Sequence, residues 1–232
     1  MHASRVRPIL DRFADGVPYE ELARNFLDRE RCWGDNPVLV LATAAASTTG
    51  QNYTTGVKPT VEQFREAFVE TGRATTFTAL ADIPLEDDAL VEAFGAQRKR
   101  HVLLESARVL ADRPEASDLE AVEAWAAQAD LYRYDEDPIG EISGVGPASF
   151  QYLRQLAGID TVRPDPQVTQ FVGLLAEEVD SPFLDSADPL RTVASCEWLA
   201  MVTPYRLLEL DRLAWWTFAE EEEREEAMAA LS

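Results

Sequence analysis

Cysteine and lysine are nearly missing from this chain. Only Cys32 and Cys196 are present, far apart and without a CxxC, so a four-cysteine zinc or iron–sulfur centre within the chain is excluded. The two thiols read as core fillers in a reducing compartment rather than as a disulfide. Lys58 and Lys99 are the only lysines among 21 basic residues, which face 42 acidic ones for a formal net charge of -21. At low ionic strength such a field repels nucleic acid. An acid excess spread along a whole chain with almost no lysine is also what a halophile's cytoplasm selects. In molar salt the Debye length is only about 3 Å. On that halophilic reading the net charge does not exclude a DNA partner, because a basic neighbour of a site still acts at contact distance.

Long apolar runs are missing too. The longest, PVLVLATAAAS from Pro37 to Ser47, is about half of the ~20 residues that a membrane span needs. It reads as a buried helix with small packing faces. The opening MHASRVRPILDRF has no apolar h-region, so the expectation is a soluble, cytoplasmic protein with no membrane partner. No segment alternates apolar and polar residues long enough for a strand, and no solenoid period repeats.

What the chain does have is helical periodicity. TVEQFREAFVE spaces Val61, Phe64 and Phe68 along one face, RHVLLESARVL does so with Leu103, Ala107 and Leu110, and QVTQFVGLLAEEV with Val168, Phe171, Val172, Leu175 and Val179. Turn chemistry separates them at DGVP, GDNP, TTGQNYTTG, ADRPEAS and DSPFLDSADP. The acid-rich AEEEEREEAMAAL reads as a solvated helix end or frayed tail. The fold class is therefore all-α, with about ten helices and short connections.

One stretch carries chemistry: DPIGEISGVGPASFQYLRQLAGIDTVRPDPQV, from Asp137 to Val168. A helix ending near Ile142 is expected to reverse through Ser143, Gly144, Val145 and Gly146, with the glycines supplying positive φ. Pro147 suits the first position of the next helix, where its missing N–H costs nothing. Such a hairpin points backbone N–H groups and a helix N-terminus outward, an anion site that needs no side-chain charge. After a short loop, Asp165 precedes Pro166, a strong pairing for a helix N-cap and first helical residue. A carboxylate there is held ionised by the helix dipole, suited to stabilising positive charge or orienting a water.

The order helix, SGVG, helix, short loop, Asp, helix resembles the helix-hairpin-helix (HhH-GPD) DNA glycosylase superfamily, the endonuclease-III-like fold. The resemblance runs roughly from Asn36 to Phe218 and is specific only from the hairpin to the aspartate. It implies two helical subdomains with a cleft between them. Residues 1–35 would pack with the C-terminal subdomain, residues 36–157 would form the helical-barrel subdomain holding the hairpin at 143–147, and residues 158–232 would form the C-terminal subdomain. By the same resemblance, Ser143 to Pro147 grip the backbone of double-stranded DNA and Asp165 is the catalytic carboxylate. It acts once a damaged or mispaired base has left the stack. Gln51, Asn52 and Tyr53 stand where the family fills the gap left by that base.

Departures from the family pattern are informative. Bifunctional members carry a lysine two residues after the second hairpin glycine for a Schiff base; here Ala148 stands there, so no lyase step is expected. Pro166 follows the aspartate where many members have threonine, and Gln170 stands where a basic residue often follows. The cysteine cluster of the iron–sulfur members is absent, so no cofactor is expected, although a trio of hairpin carbonyls offers a seat for one monovalent cation. Arg154 and Arg163 are the bases nearest the proposed phosphate contact, or else ion-pair on an acid-rich surface. Arg98, Lys99, Arg100 and His101 form the most basic stretch and sit at a helix start, where the dipole does not favour cations. Tyr132 and Tyr134 read as core packing or as walls of a base pocket, and Trp215 and Trp216 as anchors of the last helix.

Three readings follow. The first is a monofunctional DNA glycosylase-like enzyme of base excision repair, acting as a monomer. The second is a catalytically silent helix-hairpin-helix DNA-binding module in which Asp165 only caps a helix. The third is a helical interaction scaffold that has lost the site.

Overall fold

A computed structural model of the chain describes residues 3–30, 35–50 and 52–231, and every regular element among them is helical. Cys32 and Gln51 lie outside the described residues. Thirteen α-helices follow in order: α1 (Ala3–Ala14), α2 (Tyr19–Glu30), α3 (Pro37–Ala46), α4 (Lys58–Phe64), α5 (Phe77–Ala81), α6 (Asp88–Phe94), α7 (Gln97–Ala111), α8 (Asp118–Gln128), α9 (Pro147–Leu156), α10 (Pro166–Val179), α11 (Pro189–Val202), α12 (Leu207–Phe218) and α13 (Glu221–Leu231). No described helix is long and apolar enough to cross a membrane. The chain divides into two compact units, one made of residues 30–159 and the other of residues 1–29 together with 160–232.

The middle unit is built around α3. Asn36 caps it, accepting from the N–H of Val38 at 3.0 Å and of Leu39 at 3.3 Å, and Pro37 fills its first position. Every residue from Val38 to Ala46 is buried, as expected of a helix that is apolar all round. Its alanines keep the helix thin, and α4, α5, α7, α8 and α9 all pack against it. Val61, Phe64 and Phe68 share one buried face, the two rings stacking at 4.9 Å. That face runs beyond α4 through a wider turn over Arg65–Val69, where the Glu70 N–H reaches back five residues to the Arg65 carbonyl at 2.9 Å.

The expected TTGQNYTTG loop is mostly wound. Ser47–Thr49 make a 3₁₀ turn, Gly50 reverses at φ +68°, and Tyr53–Val57 form a π-type turn running straight into α4. The Asn52 side chain starts that turn by accepting from the Thr55 N–H at 3.1 Å. Polar loop composition hid this, because the same asparagine chemistry serves loops and helix starts.

In the terminal unit α1 packs on α10, α11 and α12. Val6 and Leu10 are fully buried, and Phe13 meets Phe171 of α10 edge-on at 5.3 Å. Each such fully buried side chain contributes about 1.5–3 kcal/mol of transfer free energy. Arg12 pairs with Glu178, and the Tyr205 hydroxyl donates to Asp11 at 2.8 Å. The C-terminal acidic segment is the helix α13, mostly exposed, with the Ala230 carbonyl accepting from Asn25 of α2 at 3.1 Å. Cys196 is a buried free thiol of α11, and burial pushes its pKa well up.

Candidate functional site

The hairpin lies in the middle unit, and its first arm is shorter than the sequence led us to expect. In place of a helix reaching Ile142 there is a 3₁₀ segment, Leu131–Glu136, and then one helical turn closed by the Glu141 N–H on the Asp137 carbonyl at 2.9 Å. Asp137 anchors that turn. Its carboxylate accepts from the Ile139 N–H at 2.8 Å and from the Trp125 indole at 3.1 and 3.2 Å. Gly140 presses against the preceding segment so closely that a Cβ would lie 1.6 Å from the Tyr134 carbonyl oxygen. Proline and glycine within so few residues leave no room for a longer helix.

The two hairpin glycines do different work. Gly144 adopts φ +107°, which only glycine takes readily. Gly146 is extended, at φ -129° and ψ 178°, so the expectation that both supply positive φ is corrected. Apart from its chain neighbours, no described residue has an atom within 4 Å of where a Gly146 Cβ would sit. Neither strain nor internal packing therefore requires glycine there. Beyond it α9 begins at Pro147 with no side-chain cap, as α4 and α7 also do, whereas side chains cap α3, α5, α6, α8, α10 and α11. The N–H groups of Gly146, Ala148 and Ser149 have no acceptor among the described residues. Ser143 is exposed, and Val145 bonds back to the Ile142 carbonyl at 2.9 Å.

A side chain not assigned from sequence completes the hairpin. Arg98, in the first turn of α7, donates to the Gly144 carbonyl from Nη2 at 2.8 Å and from Nε at 3.3 Å. Its stem passes so near the turn that a Gly144 Cβ would stand 3.0 Å from Arg98 Cγ. The guanidinium thus engages one of the hairpin carbonyls, and its charge disfavours a second cation close beside it. The contact spans 46 residues, so no local pattern announces it. Its neighbours turn elsewhere: Lys99 and Arg100 are buried, Arg100 donating to the Leu85 carbonyl at 2.8 Å and to Glu86 at 3.1 Å. Burial lowers the Lys99 pKa.

Asp165 belongs to the terminal unit, and it caps α10. Its Oδ1 accepts from the N–H groups of Gln167 and Val168, both at 3.0 Å. Its Oδ2 accepts from Arg163, at 2.7 Å from Nη2 and 3.1 Å from Nε. The side chain is 16% exposed. The Arg163 backbone is fixed in turn by the buried Asp211, whose Oδ2 accepts the Arg163 N–H at 2.8 Å. Burial pushes the Asp211 pKa up, but Arg212, the Arg163 N–H and the Arg163 charge outweigh it and hold the carboxyl below its ordinary range. Arg212 pairs with Asp211 and lies over the Phe26 ring at 4.3 Å. Asp211 carries no sequence signature; only the fold brings it under the Asp165 loop.

The remaining candidates are placed as follows. Arg154 is half-buried and ties α9 to α8, donating to the Ala126 carbonyl at 3.1 Å and to Gln151 at 2.7 Å. Asn52 is exposed and Tyr53 half-buried at the start of the π-type turn. Tyr134 packs edge-on against Phe150 at 6.1 Å, while Tyr132 is exposed. Trp215 and Trp216 are half-buried on α12. No protein-family model, curated protein or solved structure matches the chain.

Proposed function

We propose that this protein grips the backbone of double-stranded DNA through the 143–147 hairpin and acts as a monofunctional DNA glycosylase on a flipped, damaged or mispaired base. The observation that carries the reading is Gly146. Its absent side chain keeps space open beside N–H groups that lack internal acceptors, and a glycine serving only the fold would have no reason to stand there. A phosphate oxygen brought into that space accepts those bonds and gains from the N-terminal end of α9. No side-chain charge is required, which reconciles an acidic chain with a polyanionic partner.

In this reading Asp165 supplies the chemistry. Two N–H groups and Arg163 hold the carboxylate in one orientation. Negative charge fixed in place stabilises the cationic sugar that develops as the N-glycosidic bond breaks, while water completes the hydrolysis. With Ala148 where a Schiff-base lysine would stand, the product is an abasic site left unbroken until alkali is added. One observation favours the catalytically silent module instead. Arg163 on Oδ2 neutralises the same charge that catalysis would use.

A nicking assay in molar KCl separates the two readings, using duplexes carrying uracil, 8-oxoguanine, alkylated purines or a mismatch. A glycosylase gives strand breaks only after alkali, and Asp165→Asn lowers the rate by about 10²–10³-fold with DNA affinity retained. Asparagine caps a helix about as well as aspartate, so the α10 cap is kept while the ion pair to Arg163 is lost. Binding without product on any duplex, by wild type and variant alike, makes the protein a DNA-binding module.

A further inference from the structure

We infer that Arg98 is the hairpin's own cation, taking the Gly144 carbonyl that a bound monovalent ion would need and making the hairpin independent of such an ion. The inference rests on the hairpin being the DNA-contacting element proposed above. Three observations converge on it. The Arg98 fork closes on one oxygen, with Nη2 at 2.8 Å and Nε at 3.3 Å. Gly144 makes room for the stem, since any Cβ there would meet Arg98 Cγ at 3.0 Å, Nε at 3.1 Å and Val102 Cγ2 at 3.1 Å. The third observation is electrostatic. Acids outnumber bases two to one in this chain, and most of its arginines hold a carboxylate, yet Arg98 holds none among the described residues.

The consequence is a charge that does not exchange with the medium. A free ion is held only by converging carbonyls and leaves when its concentration falls. The Arg98 guanidinium is delivered by α7, and its Nη1 group, unpartnered among the described residues, remains available to an anion at the hairpin. Arginine suits this better than lysine because its planar fork donates to a carbonyl and to a phosphate at once.

Thallium(I), a probe for potassium sites, tests occupancy directly by ²⁰⁵Tl NMR. Fluorescence anisotropy on a labelled duplex, in KCl and in tetramethylammonium chloride of equal molarity, tests the consequence. The wild type should show no bound thallium and a Kd equal in the two salts within about twofold. Arg98→Ala should bind thallium at the hairpin and lose about tenfold in DNA affinity in tetramethylammonium, regaining it in potassium. Arg98→Gln, which keeps a donor for the Gly144 carbonyl, serves where the alanine variant fails to fold, and should lose affinity alike in both salts. Bound thallium in the wild type, or a wild-type Kd that rises when potassium is withdrawn, overturns the inference. If the wild type binds no DNA in either salt, the DNA reading fails and the thallium result alone decides the role of Arg98.

Discussion

Gly140 and Gly146 stand six positions apart and answer to different constraints. A methyl group at Gly140 would meet the Tyr134 carbonyl oxygen at 1.6 Å, and that oxygen belongs to the backbone and cannot step aside. Gly140→Ala should cost about 3 kcal/mol in urea unfolding, the upper end for overpacking. Gly146→Ala meets nothing and sits at an ordinary φ, so it should stabilise the fold by about 0.4–1 kcal/mol while weakening DNA binding. A variant that folds better and binds as well as the wild type would remove the support that Gly146 gives to the proposed function. Asp211 is the residue to test for pH. Its folded pKa lies below the unfolded value, so its contribution is present above the unfolded pKa and is lost as pH falls through the folded one. Asp211→Ala should cost about 3–5 kcal/mol near neutrality by stranding Arg212, and the gap to wild type should narrow as acid is added below about pH 4. At this scale the Asp165 cap was legible, because Asp before Pro is a local signal. Arg98 on Gly144 and Asp211 under Arg163 were not, since each joins segments more than 40 residues apart. Nor does the motif GVG tell which glycine bends the chain and which keeps a space clear.

Among the elements, α3 is buried from Val38 to Ala46 and leaves little room for larger side chains. Ala45 is fully buried on a helix packed by five others, so Ala45→Leu should destabilise by about 1–3 kcal/mol through overpacking, measured as a lowered urea midpoint with unchanged slope. The helices were readable because their apolar spacing is regular. Val61 with Phe64 and Phe68, Leu103 with Ala107 and Leu110, and the five apolar positions of α10 are all buried as their spacing implies. Boundaries were harder. Apolar periodicity does not distinguish an α-turn from the wider turns at Tyr53–Val57 and Arg65–Val69. The first hairpin arm is shorter than its apolar Ile139 and Ile142 suggest, because Pro138 and Gly140 limit it to a single turn.

For the whole molecule, the net charge of -21 sets the conditions under which any of this can be measured. Self-repulsion opposes the compact state, and added salt screens it. The melting temperature should therefore climb steeply from dilute buffer to molar KCl; a melting point indifferent to salt would refute the halophilic reading. The two units divide between residues 159 and 160, and composition shows no linker there. The unit assembled from both ends of the described chain also has a history in time. Val6 and Leu10 of α1 can be covered only when α10 arrives, roughly 150 residues later. At a ribosome's pace of about 5–20 residues per second that is a wait of roughly 8–30 s. During it the middle unit has its complete sequence first and can fold ahead, while α1 trails behind as a lone amphipathic segment. A newborn chain of this protein thus carries the apolar face of α1 uncovered until the later helices of its own unit have been made.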